Sequence, residues 1–284
     1  MAGDLFCLGA AFEFRRPRGS LCRGIEHHNH HMTQVLFPMT QSTSKIVVVT
    51  YNIRLGIQQG LAAVSEVLHR TDPPDLVAVQ EIGVDWLMGP RGDSVATLSE
   101  LLELPHCIHA APLQQVRDDG PLAQYGHALF SRWPITSSRI IDLPRHDDEP
   151  RALLHCLIEM PKASLDVYST HLSHLAGDRP DQGRFLTHWL NEQRTDTDAR
   201  LLLGDLNAPP TENWLISLLE TWTDADSELD RPTFPSQSPE RRIDYIMARG
   251  VKLRSVEVPD SPQIREASDH RPVITCWDLD ETSP

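Results

Sequence analysis

The sequence predicts a layered α/β sandwich with substantial antiparallel pairing. Two observations carry this expectation. Short β-branched apolar runs recur from residue 45 onward and alternate with segments of helical periodicity. Several strand-like runs also follow one another with no helix between them, whereas a purely parallel sheet needs a crossover at each step. With 284 residues the chain is long enough for one large domain, and no internal repeat or long linker divides it after residue 45.

KIVVVTYN reads as a strand ending at Asn52. GLAAVSEVLHR reads as a helix with Leu61, Val64 and Leu68 on one face, broken by Pro73 and Pro74. DLVAVQE is a buried strand ending at Glu81, and SVATLSELLEL a helix capped by Ser94. HALFS and RALLHCLIEM are strands separated by a Pro- and Asp-rich loop, and LDVYSTHL is a strand ending at His171. DQGRFLTHWLNEQ forms a helix with Phe185, Trp189 and Leu190 near one face. ARLLLGDLN is the next strand, TENWLISLLE a short helix capped by Thr211, and RRIDYIMA and PVITCW complete the strands. One domain over residues 45–279 follows, with residues 280–284 as a tail.

Residues 1–44 lack sustained periodicity and read as a disordered extension. His27, His28, His30 and His31 are a cluster able to bind a transition metal, but a disordered tail is the simpler account. Asp4 precedes LFCLGAAF and no basic segment does, which argues against a secretory signal. Met32 or Met39, just before the first strand, is the expected translation start. Cys7, Cys22, Cys107, Cys156 and Cys276 are scattered and form no CxxC pair, so reduced thiols in a cytoplasmic protein are expected. No apolar run approaches the ~20 residues of a membrane-spanning helix. A net charge of −14 argues against gripping long nucleic acid by its backbone alone, although a metal can neutralise phosphate locally.

The polar residues of interest stand where strands end. Asn52 closes an apolar strand, where a turn former is the bland reading. Glu81 closes another; as a functional group it suits magnesium, which prefers oxygen ligands and few protein carboxylates. His171 lies in YSTHLSH with His174 as a decoy. Asp205 and Asn207 are two apart, so both side chains can face one side of a strand end, an acceptor beside a donor suited to water activation at a phosphoryl oxygen. An Asx turn before Pro209 is the structural alternative. Asp244 sits in RRIDYI, and Asp269 and His270 precede RPV; a carboxylate bonded to a histidine fixes its tautomer and stabilises the imidazolium. Arg241 and Arg242 read as phosphate contacts or as solvated charge. Tyr125, Trp133 and Trp86 are candidates for a substrate cleft, though aromatic residues are more often core.

Taken in order, VVVTYN, VAVQE, STHLSH, LLLGDLNAPP, RRIDYIM and ASDHRPV resemble the signature blocks of the endonuclease/exonuclease/phosphatase superfamily over nearly all of residues 45–279. The resemblance implies a four-layer αββα sandwich of two mostly antiparallel sheets flanked by helices, with the site at the strand ends where the sheets meet. It implies that Glu81, with Asn52 beside it, holds Mg²⁺ or Mn²⁺ and that Asp269 completes the metal or water network. It implies that Asp205 positions or deprotonates the attacking water, that Asn207 binds phosphate, and that His270, supported by Asp244, stabilises the transition state or acts as base. His171 would act on phosphate oxygens or protonate the leaving group, and the Thr-His-Leu form resembles the branch containing deoxyribonuclease I, sphingomyelinases and inositol-phosphate phosphatases. The block PLAQYGHALFSRWPI offers no evident acidic partner for His171; its His127 reads as a further substrate contact or a strand histidine.

The expected function is a divalent-metal-dependent phosphoesterase, by preference a phosphodiesterase, acting on a nucleic acid, a phospholipid head group or a soluble phosphorylated metabolite. The alternatives are a DNA-repair or nonspecific endonuclease, and a silent binding module on the same fold. Oligomeric state is not legible.

Overall fold

In a computed structural model, residues 45–279 are described, apart from 71, 117–119, 147 and 194–196. The expectations for residues 1–44 and the tail 280–284 lie outside the described residues.

The elements run β1 (Lys45–Asn52), α1 (Gly60–Leu68), β2 (Leu76–Val84), α2 (Ser94–Leu102), β3 (His106–Gln115), β4 (Ala123–Ser131), β5 (Ile135–Asp142), β6 (Ala152–Glu159), β7 (Ser164–His171), α3 (Arg179–Glu192), β8 (Arg200–Asp205), α4 (Asn213–Leu219), β9 (Thr223–Asp224), β10 (Asp244–Arg249), β11 (Lys252–Glu257), α5 (Pro262–Ala267) and β12 (Val273–Asp278). They build two six-stranded sheets, ordered β11-β12-β1-β2-β4-β3 and β5-β6-β7-β8-β10-β9. Each sheet has one parallel pair, β1 with β2 and β7 with β8, joined across a helix; the other pairings are antiparallel.

Strand alternation explains the layers. Ile46 and Val48 of β1, Leu76 and Ala78 of β2, Val167 of β7, Leu201 and Leu203 of β8 and Ile246 of β10 form the core between the sheets. The intervening residues face outward: Val47, Val49, Val77 and Val79 pack with α1, α2 and α5, and Tyr168, Leu202 and Tyr245 pack with α3 and α4. The result is an αββα sandwich with three apolar interfaces.

Some local expectations are corrected. Asp93, not Ser94, caps α2, its side chain accepting from the Ala96 N–H at 2.9 Å. Glu212, not Thr211, occupies the cap position of α4. β2 does not stop at Glu81 but runs on to Val84 through a register shift between Gln80 and Ile82. β8 ends at Asp205, short of Asn207. Strands β3, β5, β9 and β11 and helix α5 are additions to the elements the sequence predicts. The described cysteines Cys107, Cys156 and Cys276 are free, and no helix among the described residues is long and apolar enough to cross a membrane.

Candidate active site

The parity that builds the inner core also delivers the polar groups. Asn52 continues the 46, 48, 50 face of β1; Asp205 continues the 201, 203 face of β8; His171 continues the 165, 167, 169 face of β7. Asp244 opens β10 on the face of Ile246, directly opposite Asp205 in the ladder. Four inward-facing positions at neighbouring strand ends thus carry polar side chains next to an inner face that is otherwise largely apolar. Gly204 makes the close approach possible: a Cβ there would stand 2.0 Å from the Thr170 carbonyl oxygen, at φ +150°.

Glu81 breaks the alternation. By parity it would face α1 and α2, but it sits at the bulge with φ +56°. That left-handed conformation costs a non-glycine residue roughly 1–3 kcal/mol. It turns the carboxylate to the strand-end rim, where Asn52 Nδ2 donates to Glu81 Oε1 at 3.0 Å and to Asp205 Oδ2 at 3.1 Å. The Asn52 oxygen accepts from Arg54 N–H at 3.0 Å. Asn52 therefore faces the carboxylates as a donor and sets their spacing.

Asp205 is the hub. Its Oδ1 accepts from Asn207 N–H at 2.8 Å. Its Oδ2 lies 3.5 Å from His171 Nε2 and 3.8 Å from His270 Nε2. The opposite ring nitrogen of His270, Nδ1, is 2.9 Å from Asp244 Oδ2, and Thr233 Oγ1 donates to that same oxygen at 2.5 Å. Ser268 Oγ donates to the Asn52 carbonyl at 2.7 Å, which ties the loop carrying Asp269 and His270 to β1. The Asn207 amide donates to the Leu172 carbonyl at 2.9 Å.

Burial first, and then repulsion from Asp244, push the Asp205 carboxyl up to about 7. Burial opposes charge on His270, but the charge and hydrogen bond of Asp244, with Asp205 and Asp269 behind them, outweigh it and raise the imidazole to about 10. Burial, then the positive charges of Arg151 and His270, hold His171 well below its ordinary range. The site thus pairs a histidine held neutral with a histidine held charged on either side of one carboxylate.

Asp205, Asp244 and His270 each bring a ligating atom to within 4.8 Å of the others, all three buried. Glu81 and Asp269 add carboxylates at the more open rim. The repulsion on Asp205 marks an acidic cluster short of positive charge, and oxygen donors suit a hard divalent cation. The residue set fits a divalent cation.

Two expected substrate contacts are buried in polar pairings. Arg242 is 6% exposed, bonded to Asp224 and Asp230, with its guanidinium 4.6 Å above the Tyr245 ring. Those partners, distant in sequence, draw it into the fold and away from solvent. His127 is 1% exposed, with Nε2 3.1 Å from the Ser169 carbonyl, and burial first, then His109, lowers it to about 3. It supports β7 beneath His171. Tyr125 and Trp86 stack at 5.3 Å on the Glu81 side of the site, whereas Trp133 packs against the inter-sheet core. Arg151 was not singled out from sequence. It is 7% exposed and paired to Glu149 at 2.8 Å, and the two line a small pocket with Tyr125, His127 and His171.

The model of the Endonuclease/Exonuclease/phosphatase family matches residues 49–270. The chain belongs to that family. It is 31% identical over 163 residues to the Escherichia coli K12 protein YbhP, itself uncharacterised; the match covers 54% of this chain and 62% of YbhP, so it spans less than two thirds of that relative. Among solved structures, an endonuclease/exonuclease/phosphatase from Beutenbergia cavernae superposes with a TM-score of 0.69 at 23% identity, over 83% of this chain and 72% of that one. The Bacteroides thetaiotaomicron mannosyl-6-phosphatase Bt3783 superposes with a TM-score of 0.64 at 17% identity, over 82% and 99%. At these identities the superpositions speak for the fold.

Proposed function

We propose that the protein is a divalent-metal-dependent phosphoesterase, a phosphodiesterase by preference, that drives in-line attack of water on phosphorus. The observation that carries this is the placing of Asp205 between Asn52 and Glu81 on one side and the His270–Asp244 pair on the other. Glu81 and Asp269, beside Asn52, would hold Mg²⁺ or Mn²⁺, which when bound polarises phosphoryl oxygens and neutralises their charge. Asp205, poised near neutrality, orients and deprotonates the water. His270, held as imidazolium by Asp244, donates from Nε2 to the charge that develops on phosphoryl oxygen. His171, neutral and 3.5 Å from Asp205, serves a phosphate oxygen or the leaving group. Asn207, anchored to Leu172, keeps the turn after β8 in place and lies where a phosphate oxygen would approach.

The preference for a diester has an electrostatic basis. Glu81, Asp205, Asp244 and Asp269 crowd the site, and a dianionic monoester is repelled more strongly than a monoanionic diester. The net charge of −14 favours small substrates over long duplex nucleic acid. A silent binding module is disfavoured because none of Glu81, Asp205 and His270 is lost. The test is hydrolysis of bis-p-nitrophenyl phosphate against p-nitrophenyl phosphate with Mg²⁺, Mn²⁺ or EDTA; faster metal-dependent cleavage of the diester is expected.

A further inference from the structure

We propose that an apolar rim, built by the β2–α2 and β3–β4 loops with Ile57, docks the protein onto a zwitterionic lipid surface. The inference goes beyond the phosphoesterase reading and stands on different residues.

Among the described residues nine large hydrophobic side chains are exposed. Five of them, Ile57, Leu87, Met88, Val116 and Leu122, come from three connections at the site end of the sheet that carries Asn52 and Glu81. Val116, Met88 and Leu87 are 83%, 60% and 57% exposed. Contacts join the three connections into one edge. An added Cβ on Gly89 would lie 2.8 Å from the Leu55 carbonyl oxygen, so the turn before Ile57 packs on the loop of Leu87 and Met88. Trp86 of that loop stacks on Tyr125 of β4 at 5.3 Å. Gln115 pairs with Ala123, which brings Val116 and Leu122 together where the β3–β4 hairpin opens. Apolar residues scattered singly need no explanation, but a connected exposed edge marks an interaction surface.

The height of the rim fits a membrane. β1 ends at Asn52 opposite Gln80, and β2 continues four residues further to Val84, ~13 Å at the usual strand rise. Interfacial apolar anchors sink ~5–10 Å into the boundary between headgroups and acyl chains. Insertion of the rim to that depth leaves the carboxylates of the site in the headgroup layer, where the phosphodiester of a lipid lies.

Charge selects the kind of surface. By sequence, loops 85–93 and 116–122 hold Asp85, Asp93, Asp118 and Asp119 against Arg91 and Arg117, in a chain of net charge −14. Anionic lipids draw in basic segments, and these loops have no basic excess. A zwitterionic layer instead turns ammonium groups outward, which acidic loops attract. The Trp86–Tyr125 pair adds aromatic faces, which suit both such cations and the apolar–polar boundary. A second copy fits less well, because two rims face to face would oppose like charges.

The test is co-sedimentation of the full chain with sucrose-loaded phosphatidylcholine vesicles in EDTA. The parent should sediment with them, with little change as salt is raised. The triple variant Leu87→Ser, Met88→Ser, Val116→Ser should lower the partition coefficient at least ~10-fold, because each lost apolar side chain weakens insertion. Met88→Ser alone should fall between the two. Leu101→Ser, exposed near the end of α2 and away from the rim, should match the parent. An unchanged Tm shows that the variants are folded. No binding by the parent, equal binding by the triple variant, or binding confined to phosphatidylglycerol vesicles overturns the docking surface. So does a parental dimer in sedimentation equilibrium that the triple variant fails to form, with no vesicle binding. Vesicle binding without hydrolysis of bis-p-nitrophenyl phosphate keeps the docking surface and sinks the phosphoesterase; hydrolysis without vesicle binding does the reverse.

Discussion

Asn52 and Asp205 stand 153 residues apart in sequence and are joined by one hydrogen bond of 3.1 Å from the Asn52 amide to Asp205 Oδ2. The bond crosses from β1 of one sheet to β8 of the other, at the open end of the inter-sheet core. The same amide nitrogen holds Glu81 at 3.0 Å. One neutral side chain therefore fixes the spacing of two carboxylates contributed by separate sheets. Asn52→Ala removes that spacer and leaves a buried carboxylate oxygen without its donor, for ~1–3 kcal/mol of stability. A lower Tm together with a large fall in turnover is the expected pair of results; unchanged turnover would deny Asn52 its organising role.

Asp205→Asn separates chemistry from stability. Burial and Asp244 both oppose the Asp205 charge. Removing that charge should therefore hold or raise Tm in metal-free buffer while turnover falls by ~10²–10⁴, the usual worth of an oriented base. Thermal denaturation and initial rates on the same preparation check both halves. A variant with lower Tm and near-parental rate would contradict the assignment.

The histidine pair sets a pH dependence. A group whose folded-state pKa is raised favours the fold in its protonated form. Its contribution is complete below its unfolded value and is lost as pH rises through the folded one. For His270 that window runs from 6.5 to about 10. Asp205, raised from 3.8 to about 7, loses stability in the same direction at lower pH. Metal-free Tm should therefore fall between pH 7 and 10 more steeply in the parent than in His270→Gln. Parallel profiles would mean that His270 is not held as imidazolium.

Arg242 is buried and paired with Asp224 and Asp230, so a role in the fold rather than the chemistry is expected. Its removal leaves the Asp224 carboxylate, 6% exposed, without its cationic partner and with the Asp226 N–H still donating to it at 3.1 Å. Arg242→Ala should cost ~3–5 kcal/mol by urea denaturation, as broken buried pairs do. The double variant Arg242→Met with Asp224→Leu should regain much of that. Below its Tm, kcat in Arg242→Ala should stay within severalfold of the parent, and a catalytic loss out of proportion to Tm would return Arg242 to the site.

These contrasts show what the sequence reveals and where local reading stops. β1, β2, β7 and β8 are legible because apolar residues fill both faces of buried central strands, and a polar residue at the end of such a run stands out. β5 and β11 are edge strands with mostly exposed residues, so their alternation carries little apolar signal. Glu81 was legible as a residue type, but the bulge that re-aims it depends on pairing with β4. The burial of Arg242 is not legible because its partner Asp224 lies 18 residues upstream, and nothing in RRIDYI betrays the pair.

The most direct measurement is the rate of bis-p-nitrophenyl phosphate hydrolysis by the parent and Asp205→Asn proteins, with Mg²⁺ or Mn²⁺ and again in EDTA. Cleavage that needs the cation and falls at least ~10²-fold in Asp205→Asn is the predicted result. Cleavage indifferent to EDTA, or equal in the two proteins, would contradict the assignment of Asp205 and its neighbours as a metal-assisted phosphoesterase centre.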